Sequence, residues 1–234
     1  IKIAWSCESR LDLINEEIVN AMARTGCWNM FFGIESGNQE MLDNIKKKTT
    51  LEMIRKGVAM VKKSGMEVRG SFILGLPGET PELGEQTIDF AIELDPDYAQ
   101  FCINTPFPGT KLWDTAEQWG TLDKSNFDKY TIWEPVFLPF GYKNKEQLMK
   151  LEKKAFRKFY LRPKYIYGRL KNLVKSRDSL VHNKSRKIDL ADFTDLLEKR
   201  DKELLDLLKR GLEAYDAIKD FVVVMLEKDP KEKL

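Results

Sequence analysis

Three segments of this chain carry residues that could do chemistry. They are Glu35-Ser36 within Gly33-Ile-Glu-Ser-Gly37, the run Ser71-Phe-Ile-Leu-Gly-Leu-Pro-Gly-Glu-Thr80, and Pro106-Phe-Pro-Gly-Thr110. A carboxylate such as Glu35 accepts hydrogen bonds from hydroxyls or from an ammonium. It would equally suit the first turn of a helix, and Ser36 would suit a cap. Glycine at position 75 leaves bare backbone against which a ligand can lie, although an ordinary strand-to-helix turn uses the same residues. No His, Cys or carboxylate pair stands at catalytic spacing on these segments, which disfavours conventional acid–base catalysis. His182, the only histidine, falls in a charged stretch and reads as a surface residue. Cys7, Cys27 and Cys102 contain no C-x-x-C pair. They form no metal motif by themselves and read as buried free thiols of a chain in a reducing, cytoplasmic setting.

These segments need a scaffold, and the pattern supplies one. Strands are expected at 1–5, 28–34, 66–74 and 97–104. Helices are expected at 11–24, 38–45, from Thr50 to Gly65, at 81–94 and at 111–119. Thr80 is a plausible N-cap with Pro81 at the first helical position. Strand and helix alternate four times with short connections, the signature of a parallel α/β sheet with right-handed crossovers. The three segments then converge on one rim, at the C-terminal ends of the strands, where ligands bind in such folds. Residues 126–141 are aromatic and irregular and read as a cover over a barrel mouth or sheet edge. A helix is expected at 144–161 with Leu148, Leu151, Ala155, Phe156 and Phe159 inward. Another is expected at 165–175, then a charged loop at 177–187 and a long helix or helix pair from 190 to 228. This divides the chain at 1–125, 126–176 and 177–234.

With 39 basic and 37 acidic residues the net charge is +2, which gives no electrostatic case for a nucleic-acid partner. The longest apolar run near the C-terminus, Phe221-Val-Val-Val-Met-Leu226, is too short to span a bilayer. The chain starts at Ile1, so a processed product or a piece of a longer protein is expected.

Taken in order, Gly33 to Gly37, Lys47 with Thr49-Thr50, Phe72 to Thr80 and Pro106 to Thr110 resemble the radical S-adenosylmethionine (SAM) superfamily. The similarity is to the group whose members often carry an N-terminal cobalamin-binding domain, and Phe159-Tyr-Leu-Arg-Pro163 resembles that group's C-terminal region. The resemblance covers residues 1 to about 173. It implies a partial (β/α) barrel, with these four strands matching the last four of six units and a C-terminal helical extension beyond. It implies SAM and a [4Fe-4S] cluster at the rim, and cleavage of SAM to a 5′-deoxyadenosyl radical. The family's C-x-x-x-C-x-x-C loop is absent from this sequence, so the cluster ligands, and any cobalamin site, are expected outside this chain, on a missing N-terminal segment.

Carried over residue by residue, the resemblance gives Glu35 to the ribose or amino group of SAM and Ser36 to a second polar contact. Lys47 goes to the SAM carboxylate, with Arg10 a weaker candidate for it. Ile73, Gly75 and Leu76 form the bed for adenine, and Pro106 and Gly109 face SAM or a small-molecule substrate. Radical SAM chemistry, including cobalamin-dependent methyl transfer, is the expectation. The competing reading is a non-catalytic binding or scaffold unit working through its C-terminal helices.

Overall fold

The computed structural model describes residues 3–169. The expected loop at 177–187, His182 and the expected helix or helix pair at 190–228 lie outside the described residues. Those described fall within one compact unit, Ile1–Leu170.

Four parallel strands form one sheet in the order β1 (Trp5–Ser9), β2 (Cys27–Glu35), β3 (Glu67–Leu74), β4 (Tyr98–Ile103). Helix α1 (Glu16–Arg24) links β1 to β2, α2 (Gln39–Asn44) and α3 (Leu51–Lys63) link β2 to β3, and α4 (Pro81–Leu94) links β3 to β4. Beyond β4 come α5 (Lys111–Thr115), an antiparallel pair of β5 (Gly120–Leu122) with β6 (Phe137–Pro139), and α6 (Lys145–Tyr160). Each of these six helices is capped at its N-terminus by an Asn or Thr side chain, in order Asn15, Asn38, Thr50, Thr80, Thr110 and Asn144. Such a cap satisfies one of the orphan amides of the first turn.

Two expectations move. The first strand is Trp5–Ser9 rather than 1–5, because Trp5 and Ser6 pair with Cys27 and Asn29 and carry the ladder toward Ser9. The expected helix at 11–24 breaks into a 3-10 turn at Leu11–Leu13 and then α1, with Asn15 accepting from the Ile18 amide to restart it.

The strands alternate between two faces. Met30, Phe32 and Ile34 of β2, Val68, Phe72 and Leu74 of β3, and Ala99, Phe101 and Ile103 of β4 are buried in the main core with helix residues such as Ile54, Val58, Ile88, Leu148 and Phe159. The alternate positions Asn29, Phe31, Arg69, Ser71, Ile73, Gln100 and Cys102 line a hollow of about 610 Å³ on the opposite face. Parallel sheets normally carry helices on both faces and then read as continuous apolar runs; here the described helices pack against one face, and the other keeps a polar, period-two signature.

Helix α6 closes the β4 side of the sheet. Phe156 and Phe159 lie edge-on to Phe101 at 5.4 and 6.2 Å. The Tyr160 hydroxyl accepts from the Ala99 amide and donates to its carbonyl at 2.7 Å, so this edge strand is partly occupied by a side chain, which blunts its tendency to pair with another chain. No described helix is long and apolar enough to cross a membrane.

Candidate functional site

At the end of β2 the ladder slips: Gly33 pairs with Ser71, but Glu35 pairs with Phe72. Glu35 sits there at φ 70°, a conformation costly for a side-chain-bearing residue and often retained where a site needs it. Its carboxylate accepts from Lys47 Nζ at 2.8 Å, across twelve residues and the whole of α2. Both side chains are partly exposed, at 17% for Glu35 and 24% for Lys47. A Cβ at Gly33 would fall on the Glu35 carboxylate oxygen and stand 3.1 Å from Lys47 Nζ. Gly33 is therefore the floor that admits the pair, a role the sequence reading did not assign.

Arg10 lies beside this pair in a smaller hollow with Glu8, Phe31 and Gly33. Its guanidinium is engaged with Asp12 at 2.8 Å, whose carboxyl is held below the usual range by that hydrogen bond first and by the nearby Lys47 to a smaller degree. The smaller hollow shares Glu8 and Phe31 with the larger one, which Ile73 lines. Arg10 and Ile73 thus line adjoining hollows, and the Glu35–Lys47 pair packs over Gly33 at the edge of the smaller one, lining neither.

The other sequence candidates are placed differently. Ser36 is fully buried; its hydroxyl shares a 3.1 Å hydrogen bond with Thr87 on α4 and accepts from the Asn38 amide. It ties the turn to the scaffold and offers nothing to a ligand. Leu76 is buried. Gly75, at φ 79°, turns its missing side chain toward α6, where a Cβ would stand 2.9 Å from Leu148. The glycine is needed for the left-handed turn and for the close approach of that helix. Pro106 is buried and Gly109 is exposed at the tip of the last turn; between and beside them it is Thr105 and Phe107 that line the hollow.

Glu79 closes the turn after β3. One carboxylate oxygen accepts from the Gly75 amide at 2.6 Å and from the Tyr142 hydroxyl at 2.6 Å. The other oxygen has no partner. Glu79 is fully buried, and burial pushes its carboxyl up to about 7 despite those hydrogen bonds. The Tyr142 hydroxyl is pushed up by burial and by the Glu79 charge, so it remains a donor. Sequence reading took Glu79 as part of a turn and gave Tyr142 no role; no local pattern links positions 63 residues apart.

The cysteines do not assemble. Cys27 is in the helix-side core with Cys7 packed against that core, while Cys7 and Cys102 both line the open hollow. Burial pushes the Cys7 thiol up to about 11, Cys27 adding to it, and burial also raises Cys102; both are protonated thiols at neutral pH. Among the described residues no group of three His, Cys, Asp or Glu could hold a metal ion.

Residues 1–91 match the radical SAM superfamily. Over those residues the chain is similar to that superfamily. An uncharacterized methyltransferase of Pyrococcus horikoshii is 43% identical over 166 residues, covering 71% of this chain and 36% of the relative. The anaerobic magnesium-protoporphyrin IX monomethyl ester cyclase of Rubrivivax gelatinosus is 27% identical over 190 residues, covering 74% of this chain and 34% of that one. The chain thus spans about a third of the length of these curated relatives. Among solved structures, archaeal Methanocaldococcus infernus Elp3 superposes with a TM-score of 0.51 at 21% identity, covering 65% of this chain and 32% of that one, a likeness of fold. Similarity to the radical SAM superfamily implies SAM and a [4Fe-4S] cluster. The Glu35–Lys47 pair fits the first; the described cysteines do not fit the second.

Proposed function

We propose that this chain is the C-terminal part of a radical SAM enzyme, and that its strand tips hold SAM. The observation that carries the reading is the Glu35–Lys47 pair over Gly33. One carboxylate and one ammonium side by side are the charge complement of an α-amino-acid zwitterion, the end that SAM presents. Glu35 would take the amino group or a ribose hydroxyl, and Lys47 the carboxylate. Ile73, on the adjacent strand and facing the same side, would give adenine an apolar contact. SAM supplies the 5′-deoxyadenosyl group when it meets a reduced cluster; the work of these residues is to bind it, orient it and keep water out.

The open polar face of the sheet supports the rest of the reading. In it, the four strands form part of a (β/α) barrel whose remaining strands and cluster ligands lie outside this chain, and the hollow is the barrel interior. Methyl transfer is the reaction we favour, in view of the Pyrococcus relative's name, with cobalamin as a methyl carrier bound outside this chain. Pro106 and Gly109 then shape the rim on the substrate side. The test is anaerobic reconstitution of the longer protein with iron, sulfide and a reductant, followed by assay for 5′-deoxyadenosine. Release from SAM that is lost in Lys47→Met supports the reading. No release from the wild-type protein with a full cluster overturns it.

A further inference from the structure

The turn that follows β3 is held from a distance. Its backbone is bent by Gly75 at φ 79° and Gly78 at φ 82°, and the Glu79 amide donates back to the Leu76 carbonyl at 2.9 Å. The Gly75 amide, which the bend turns inward, has the Glu79 carboxylate as its acceptor. That carboxylate is in turn fixed by Tyr142, which is only 5% exposed. The segment around Tyr142 is fitted to the turn at three glycines. A Cβ on Gly141 would stand 2.5 Å from the Glu79 carbonyl, one on Gly75 would press on Leu148, and one on Gly84 would press on Leu151. Residues 141–151 lie outside the 1–91 match, yet they close on the backbone that leads out of Ile73.

We propose that Tyr142 is a positioning residue for the nucleoside site: through the Glu79 carboxyl it fixes the Gly75 turn, and so the place of Ile73 in the hollow. This rests on the reading of the hollow as a SAM site. The arrangement is a relay of two hydrogen bonds, hydroxyl to carboxylate to amide, in a dry interior where each is stronger than in water. The charged groups near it are Glu82 and Glu85 of α4, both of which act on Tyr142, and Lys154 of α6, which is paired with Glu85. Among the described residues no cation pairs with Glu79. The relay therefore answers to the ionisation of one carboxyl, and the turn it holds should be tightest when that carboxyl is charged and accepts strongly.

The experiment uses the longer protein that carries this chain, as wild type, Tyr142→Phe and Tyr165→Phe. The last removes another tyrosine hydroxyl, one that donates to the Asp97 carbonyl at 3.0 Å, near the opposite end of the sheet. Amide hydrogen exchange over residues 72–80 reads the turn, and equilibrium dialysis of SAM across pH 6 to 8.5 reads the site. Tyr142→Phe is expected to speed exchange in 72–80 and weaken SAM binding about tenfold, the scale of one hydrogen bond to a charged group. It is also expected to move the pH midpoint of SAM binding upward, since the carboxylate loses a donor. Tyr165→Phe should leave all three unchanged. Glu79→Gln, which keeps an acceptor but cannot ionise, should flatten the pH profile, and it decides the matter if Tyr142→Phe fails to fold. SAM binding equal in wild type and Tyr142→Phe, or an unmoved midpoint, overturns the proposal while leaving the SAM site standing. Absence of SAM binding by the wild type overturns both.

Discussion

Replacing Glu79 with Gln should change how the stability of this protein depends on pH. The wild-type carboxyl titrates near 7 in the fold, against 4.5 ordinarily, chiefly because it is buried. Between those values the folded chain keeps a proton that the unfolded chain has released. Stability is therefore full below pH 4.5 and falls as pH rises, until the folded carboxyl has also ionised just above 7. A difference of about 2.5 pH units at about 1.4 kcal/mol each comes to roughly 3 kcal/mol. Gln accepts the same two hydrogen bonds on one side. Its NH2 replaces an oxygen that has no partner, much as the hydroxyl of the protonated acid would. Near pH 4.5 the two proteins should therefore be nearly equal. By pH 8 the variant should have gained roughly 3 kcal/mol relative to the wild type, because it never buries a charge. Asp123, held down to about 2 by its hydrogen bonds to Ser125 and Lys145, acts with the opposite sign and only below about pH 4, outside this window. Urea unfolding of both proteins at half-unit steps from pH 4.5 to 8 reads the effect. Parallel stability curves would refute the reasoning, as would a wild type that gains on the variant with rising pH.

Other substitutions separate site from scaffold. Gly33→Ala should displace the Glu35 carboxylate and weaken SAM binding at least tenfold, with a melting temperature within a few degrees of wild type; dialysis and calorimetry on one sample check both. Ser36→Ala should do the reverse, costing about 1–2 kcal/mol by leaving the Asn38 amide short of its acceptor and removing the contact to Thr87, which keeps the Leu83 carbonyl and the Gly37 amide, with SAM affinity unchanged. Phe101→Ala removes a fully buried ring that stacks on Phe72 at 5.4 Å and should cost about 3–5 kcal/mol in urea unfolding.

What could be read from the residues followed from how local the signal was. Pro81 after Thr80 placed the start of α4, and Gly65 after Lys63 marked the end of α3, because capping and φ preferences act over a few residues. The apolar period of α6 likewise named Leu148, Leu151, Ala155 and Phe159, which are buried, and Phe156, which is half-buried. Glu35 and Lys47 came from a resemblance of motifs; their contact at 2.8 Å needed the fold. Ser36 and Leu76 sit in the same motifs but are consumed by packing, a distinction that spacing alone does not make. The alternation of Arg69, Ser71 and Ile73 with Gly70, Phe72 and Leu74 was visible in the letters. That it encodes a polar wall followed only from the sheet, which leaves those positions facing the hollow. The Tyr142–Glu79 contact left no trace, since it joins distant segments through side chains of unremarkable local context.

The most direct test of the central claim is SAM affinity, measured by equilibrium dialysis, for the longer protein and for its Glu35→Gln and Lys47→Met forms. Each substitution removes one charge from a partly exposed pair, so each should alter stability by no more than about 1 kcal/mol. Binding weakened tenfold or more by either one, with folding intact, is the expected result. Undiminished binding in both would contradict the assignment of these strand tips to the amino-acid end of SAM.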